Sequence, residues 1–157
     1  MDKILSEEPH IHWSFLHPKD KIVLDLGCDK FLSSKHSAEW FVEEGAFYVL
    51  GVDLHNIGYY HPRFTMDVKN IDSAEKIENL LRVFQPDILK VDIEKAEVHF
   101  KDVKKMPSVE EVAIEYHTVE LKKLMEEMVD FWGFKNIKVY QLFDLDVEEQ
   151  GVIYAYR

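Results

Sequence analysis

The chain has 157 residues, of which 46% are hydrophobic and 13% are aromatic, so it has ample material for a hydrophobic core and lacks the composition of disordered chains. Its formal net charge of −11 disfavours a nucleic-acid partner, because affinity for phosphate backbones comes mainly from Lys and Arg. It has one cysteine and no apolar run of the roughly 18 residues that span a bilayer. These features predict a single domain over residues 1–157, with no membrane segment, in the reducing cytoplasm.

The first part of the chain is predicted to form an arm, residues 1–20, followed by an α/β core, residues 21–157. The run from Ile22 to Leu26 is almost continuously apolar, which is typical of a strand buried on both faces of a sheet. A helix and a second strand, FYVLGVD, follow it. The connection to a third strand, near Arg63 to Met66, is too short for a helical crossover and predicts a loop or a single helical turn.

The middle of the chain repeats this alternation of strands and helices. Apolar residues at helical spacing predict a helix that starts with a capping box at Asp72 and Glu75 and stops at Pro86. Two further strands, DILKVDIE and EVAIEYH, enclose a short helix from about Ala96 to Val103. The longest predicted helix comes next, from about Val119 to Trp132.

The C-terminal segment has no helix between its two predicted strands. These strands run from about Lys135 to Leu142 and from Val152 to Tyr156, and the acidic stretch FDLDVEEQG connects them. They should pair as an antiparallel hairpin. The whole pattern predicts an α/β fold with a Rossmann-like, doubly wound, mostly parallel sheet of seven strands and a C-terminal antiparallel hairpin.

Ligands in doubly wound sheets bind at the carboxyl ends of the strands, near the point where the strand order reverses. The first strand ends in DLGC, which contains Gly27, and the second strand ends at Asp53. An acidic side chain at that place can accept hydrogen bonds from both ribose hydroxyls of an adenosine. The spacing is shared by nicotinamide and S-adenosylmethionine sites, so it leaves both cofactors open.

The order of elements, with its C-terminal hairpin, resembles that of the class I S-adenosylmethionine-dependent methyltransferases. The stretch VLDLGC is similar to the start of their first motif. LKVDIEKAE and VAIEYH resemble the FkbM-type branch, in which Lys-x-Asp-x-Glu-Gly-Ala-Glu and Glu-x-His stretches end neighbouring strands. The resemblance covers about Lys21 to Arg157. It implies S-adenosylmethionine as the cofactor and O-methylation of a small hydroxyl-bearing molecule as the reaction.

The resemblance also implies which residues contact the cofactor. Gly27 would lie under its methionine part, Asp53 would hold the ribose, and Asp67 would meet the adenine amino group. The full set of implied contacts is Asp25, Gly27, Cys28, Asp53, Leu54, Asp67 and Asp92.

The sequence departs from the family pattern at three places. Asp29 and Phe31 stand where the first motif carries further glycines, and Lys95 replaces the glycine of the later motif. A carboxylate at position 29 would lie near the carboxylate of the bound methionine part. Weakened cofactor binding is therefore expected.

Four polar residues at the ends of the two central strands are the candidate catalytic group. Side chains alternate across a strand, so Asp92 and Glu94 point the same way, as do Glu115 and His117. They can form one pocket in which His117 or Asp92 takes a proton from an acceptor hydroxyl. Alternatively, they bond loop amides and cap the following helices, or hold a divalent metal; no metal is assigned. Crowded carboxylates should raise at least one carboxyl pKa and favour protonated His117.

Two other functions stay open beside the methyltransferase. The chain can be a catalytically inactive member of the fold that serves as a binding or interaction module, or a nicotinamide-dependent reductase, which the terminal hairpin and the missing glycines disfavour. Few residues precede the first strand. The pocket for a small-molecule acceptor must then be open, completed by a second subunit of a homo-oligomer, or absent.

Overall fold

A sheet of seven strands forms the centre of the structure, a computed structural model that describes residues 13–28, 35–94, 96–145 and 148–157. In chain order the strands are β1 (Ile22–Leu26), β2 (Tyr48–Asp53), β3 (Phe64–Val68), β4 (Ile88–Val91), β5 (Glu111–Tyr116), β6 (Asn136–Leu145) and β7 (Glu148–Tyr156). They lie side by side in the order β3-β2-β1-β4-β5-β7-β6. The first five are parallel, whereas β7 pairs antiparallel with both β5 and β6. The predicted fold class is confirmed.

Helices cover both faces of the sheet, as the continuous apolar runs of its central strands require. The helices are α1 (Ser37–Glu43), α2 (Ala74–Phe84), a 3₁₀ helix (Ala96–Asp102) and α3 (Val119–Phe131). α2, the 3₁₀ helix and α3 pack on one face, where alternate β1 residues such as Leu24 and Leu26 are buried. α1 packs on the other face, against Val23 and its neighbours. None of the helices in the described ranges is long and apolar enough to cross a lipid bilayer.

Two connections flank β3, a loop from β2 and a short segment that leads into α2. Residues 54–63 form a loop without a helix, as the short spacing predicts. The capping residue predicted for α2 is wrong by one position, because the hydroxyl of Ser73 accepts from the amide of Lys76 at 3.4 Å. Asp72 instead forms an ion pair with the Lys76 ammonium at 2.8 Å. Both side chains therefore serve the first turn of α2.

The C-terminal hairpin is longer than the sequence predicts. β6 continues to Leu145 and β7 begins at Glu148, so most of the acidic stretch is paired strand. A register shift between Gln141 and Phe143 accommodates an extra residue. Acidic residues are depleted in strands, and their density here led to the wrong prediction of a long connection.

Candidate functional site

The carboxyl ends of β1, β2 and β4 surround a cleft of about 120 Å³. This is smaller than the roughly 300 Å³ of a typical small-molecule site. Residues 29–34, which follow Cys28 directly, lie outside the described residues, as does Lys95. The expected effects of Asp29, Phe31 and Lys95 on the cofactor loop therefore stay predictions. The residues that line the cleft include Gly27, Asp53, Leu54, Ile71, Asp92 and Glu94.

Gly27 forms a turn that has no room for a side chain. Its φ is +78°, in the left-handed region that favours glycine. A Cβ at this position would come within 1.5 Å of the carbonyl oxygen of Asp92. The amide of Gly27 donates to the carbonyl of Val52 at 2.8 Å, and the amide of Asp92 donates to that of Leu26 at 2.8 Å. The ends of β1, β2 and β4 are thereby joined under the cleft.

Asp53 and Leu54 line the cleft at the end of β2. Asp53 is half-buried, and Leu54 is 58% exposed. The structure does not place Asp67 in this lining. Its carboxylate lies 2.6 Å from the ammonium of Lys69. After β3, residues 69–71 line the cleft in its place.

Two of the implied cofactor contacts are buried below the cleft. Asp25 is fully buried, and its carboxylate lies 3.1 Å from the ammonium of Lys90 while accepting from the hydroxyl of Ser37 at 2.6 Å. Cys28 is also fully buried, with its thiol 3.8 Å from the sulfur of Met66. Neither residue is among those that line the cleft, so contact of either one with a cofactor stays a prediction.

Beside the cleft, the structure brings the four candidate catalytic residues together. One ligand atom from each of Asp92, Glu94 and His117 lies within 4.8 Å of the others. The Nε2 atom of His117 is 3.9 Å from an oxygen of Asp92 and 3.9 Å from an oxygen of Glu94. Glu115 lies near enough to Asp92 for the charge of Asp92 to raise its pKa, and it accepts from the Gln150 amide at 2.7 Å. Carboxylates and an imidazole at this spacing are also acceptable ligands for a divalent metal.

The sequence analysis missed Glu97, which orients the imidazole. Glu97 is fully buried in the 3₁₀ helix, and its carboxylate lies 2.9 Å from Nδ1 of His117. This contact is an ion pair whose geometry is not that of a hydrogen bond, and the Nε2 atom of the ring faces Asp92 and Glu94. The signal in the sequence was the final Glu of LKVDIEKAE. The backbone of Glu94 has a φ of +47°, an uncommon conformation for a residue with a side chain, at the point where the motif leaves the sheet.

The charges of the cluster shift two pKa values upward. Burial, followed by the charge of Asp92 and the hydrogen bond to it, raises the pKa of Glu115 to about 8. Burial lowers the pKa of His117, but the close contact with the Glu97 carboxylate and its charge, together with the charges of Glu115 and Asp92, outweigh this effect and raise the pKa to about 9. At neutral pH Glu115 is therefore a neutral acid, and His117 is an imidazolium paired with Glu97. This agrees with the shifts that crowded carboxylates predict.

No protein-family model and no curated protein matches the chain. Solved structures do match it. MycE methyltransferase from the mycinamycin biosynthetic pathway, in complex with Mg and SAH, aligns with a TM-score of 0.63 at 15% identity over 94% of this chain and 44% of that one. Magnesium protoporphyrin IX methyltransferase (ChlM) from Synechocystis PCC 6803 with bound SAM aligns at 0.59 and 12% identity, over 88% and 71%. The chain has the class I methyltransferase fold.

The methyltransferase fold does not by itself decide the activity. Precorrin 8W decarboxylase of Methanobacterium thermoautotrophicum aligns at a TM-score of 0.62 and 12% identity, over 94% of this chain and 87% of that one. This chain also spans less than half the length of MycE. Function must therefore be inferred from the residues of the cleft and of the cluster beside it.

Proposed function

We propose that the protein binds S-adenosylmethionine in the cleft and methylates a hydroxyl oxygen of a small molecule, as a cytoplasmic enzyme of the FkbM-like branch. One observation carries the proposal: a single cleft joins Gly27 and Asp53 to Asp92 and Glu94. The two residues proposed to bind the cofactor thus lie next to the cluster of carboxylates and His117, which can exchange a proton with an acceptor. The stretches LKVDIEKAE and VAIEYH, which supply this cluster, support the FkbM-like assignment.

The residues of the cleft fit S-adenosylmethionine. Gly27 lines the cleft at the end of β1, the Asp53 carboxylate can accept from ribose hydroxyls, and Leu54 and Ile71 offer apolar surface to a base. When bound, the cofactor supplies a methyl group whose bond to the sulfonium sulfur breaks as the acceptor oxygen attacks, leaving the electron pair on sulfur. The carboxylate of Asp92 lines the same cleft, where its negative charge would favour the positively charged sulfonium of the cofactor.

The chain's own residues would orient the acceptor and remove its proton. Nε2 of His117 faces Asp92 and Glu94 at 3.9 Å, so a hydroxyl held by these carboxylates comes within reach of the imidazole. Glu97 holds the ring and stabilises its charged form. Because the pKa of His117 is about 9, the imidazole is a base only after it has released the proton that it carries at neutral pH.

Calorimetry with S-adenosylhomocysteine, S-adenosylmethionine and NAD tests the cofactor. Asp53→Ala should weaken binding of the first two by about 1 to 3 kcal/mol, because charge-assisted hydrogen bonds to the ribose are lost. Asp72→Ala is the control: it removes a carboxylate that is ion-paired with Lys76, and neither residue lines the cleft, so this variant should bind like the parent. Equal affinity of Asp53→Ala and the parent would contradict the placement, and binding of NAD alone would favour a reductase.

The rival function is a binding module that keeps the cofactor and performs no transfer. The pairing of His117 with Glu97 and the neutral state of Glu115 favour it, because they leave no free imidazole base at neutral pH. Labelled S-adenosylmethionine incubated with hydroxylated small molecules from pH 7 to 9.5 separates the two. Methyl transfer that grows toward alkaline pH supports the enzyme, whereas tight binding without transfer over the whole range supports the module.

A further inference from the structure

The sheet contains a lysine where a cation is seldom found. Lys90 lies in β4, at the centre of the sheet, and is 1% exposed. Lysine is almost never fully buried unless its charge is paired. Burial lowers the pKa of this ammonium, but the carboxylates of Asp25 and Asp92 outweigh it and hold the pKa above its ordinary value. The side chain is therefore a buried cation whose charge depends on its two carboxylate neighbours.

On one side, Lys90 fixes the turn that carries Gly27. Its ammonium donates to the carbonyl oxygen of Gly27 and to the hydroxyl of Ser37, the latter at 3.2 Å. It also lies 3.1 Å from Asp25, its direct neighbour across the β1–β4 pairing. The ring of Trp13 covers it at 4.9 Å. One side chain thus joins the end of β1, the turn and the start of α1.

On the other side, Lys90 reaches the residues beside the cleft. Asp92 follows it on the same face of the chain, and the two charged groups are 4.0 Å apart. Asp92 in turn contacts Glu115 and lies 3.9 Å from His117. A row of charged and polar groups therefore crosses from β1 to β5, and the Lys90 ammonium is its cation on the β1 side.

We propose that Lys90 is a positioning residue for both halves of the site: it holds the Gly27 turn under the cofactor and sets the orientation of Asp92 beside the acceptor. This inference rests on the proposed methyltransferase function, which makes that turn a cofactor turn. A buried ion pair kept for stability alone is replaceable by neutral groups of similar shape. The donor to the Gly27 carbonyl and the charge beside Asp92 are not supplied by such a replacement.

The decisive variant is therefore the double substitution Asp25→Asn with Lys90→Met. Lys90→Met alone leaves Asp25 buried and unpaired, which destabilises the fold and confuses the two roles. The double variant removes both charges and keeps their volume. Lys21→Met is the control, because Lys21 also pairs with a carboxylate, that of Glu110, but at the opposite end of β1.

Three measurements on the parent, the control and both Lys90 variants test the proposal: thermal unfolding, calorimetric affinity for S-adenosylhomocysteine, and NMR titration of the His117 imidazole. We expect the double variant to recover most of the stability that Lys90→Met loses. Its affinity should nevertheless stay about tenfold or more below that of the parent, as for a lost charge-assisted hydrogen bond. Its His117 midpoint should rise, since Asp92 loses its cationic neighbour. The control should match the parent in all three.

Each other outcome overturns the proposal. A folded double variant that binds S-adenosylhomocysteine like the parent, with an unchanged His117 midpoint, makes Lys90 purely structural. A double variant that does not fold makes the charges a requirement of the fold and not of the site. A parent that binds neither S-adenosylhomocysteine nor S-adenosylmethionine refutes the proposed function itself, and this result is distinguishable because it appears before any substitution.

Discussion

Gly27 can occupy its turn because it has no side chain. Two costs meet there: a left-handed backbone and a Cβ that would lie 1.5 Å from the carbonyl oxygen of Asp92. Gly58 has a similar φ of +70°, but nothing lies within 4 Å of its Cβ position. The pair therefore separates backbone strain from steric overlap.

Gly27→Ala should lower the free energy of unfolding by about 3 kcal/mol or more and abolish cofactor binding, because the turn or β4 must move. Gly58→Ala should cost only about 1 kcal/mol, the penalty of the left-handed backbone alone. Urea unfolding of both variants measures the difference. Equal losses would mean that the turn relaxes freely and that close packing against Asp92 does not matter.

The residues that the sequence identified are those whose role depends on local rules. Gly27 and Asp53 follow from strand ends and spacing, and alternation places Asp92 with Glu94 and Glu115 with His117. The family resemblance gave Asp25 a place in the first motif but no depth in the sheet, and its side chain is fully buried. The roles of Glu97 and Lys90 require distances between separate elements, and no spacing in the sequence contains those distances.

Among the helices, α3 has an end that bears directly on the site. Its N-cap is Thr118, whose hydroxyl accepts from the amide of Leu121 at 3.2 Å. This residue immediately follows His117. The cap therefore fixes both the start of a core helix and the direction in which the chain leaves β5.

Thr118→Ala should destabilise the protein by about 1 kcal/mol, the usual cost of a lost N-cap. Thr118→Ser is the control, since it keeps the hydroxyl and should retain most of the stability. Denaturant unfolding of the two variants measures the cap. If both lose the same amount, the methyl group of Thr118 and not its hydrogen bond is what stabilises the start of α3.

Elements were predictable where periodicity was strong. The apolar stripe of α3 predicted its limits to within a residue, because its buried side chains, such as Met125 and Val129, recur at helical spacing. The limits of the hairpin strands were not predictable from the sequence, because acidic residues are unusual in strands. Pairing between β6 and β7 decides where these strands end. Short elements held by their partners are the part of this fold that local pattern does not determine.

For the molecule as a whole, the cluster makes stability depend on pH. Folding raises the pKa of Glu115 from 4.5 to about 8 and that of His117 from 6.5 to about 9. Between pH 4.5 and about pH 9, the folded protein binds more protons at these two groups than the unfolded chain does. The free energy of unfolding should therefore fall as pH rises from about 5 to 9. For His117, the stabilisation is complete below its unfolded pKa and is lost as pH passes its folded pKa.

Glu115→Gln should remove part of this dependence. The amide is always neutral and can still accept from Gln150, so the variant should gain on the order of 1 kcal/mol over the parent for each pH unit between about 5 and 8. Below pH 4.5 the two should be equally stable. Glu44→Gln is the control, because Glu44 is an exposed residue at the end of α1 and the loss of its charge should leave the slope unchanged. Parallel pH profiles of Glu115→Gln and the parent would show that Glu115 ionises normally.

The position of β7 between β5 and β6 also constrains the order in which the chain can assemble during synthesis. β6 is synthesised before β7, yet within the described ranges β7 is the one strand that pairs with it. Until β7 has emerged, β6 has no partner and the edge of β5 stays open. Such unpaired strands are the surfaces through which nascent chains associate wrongly. A variant that ends before β7 should therefore expose the edges of both β5 and β6 and associate with other chains.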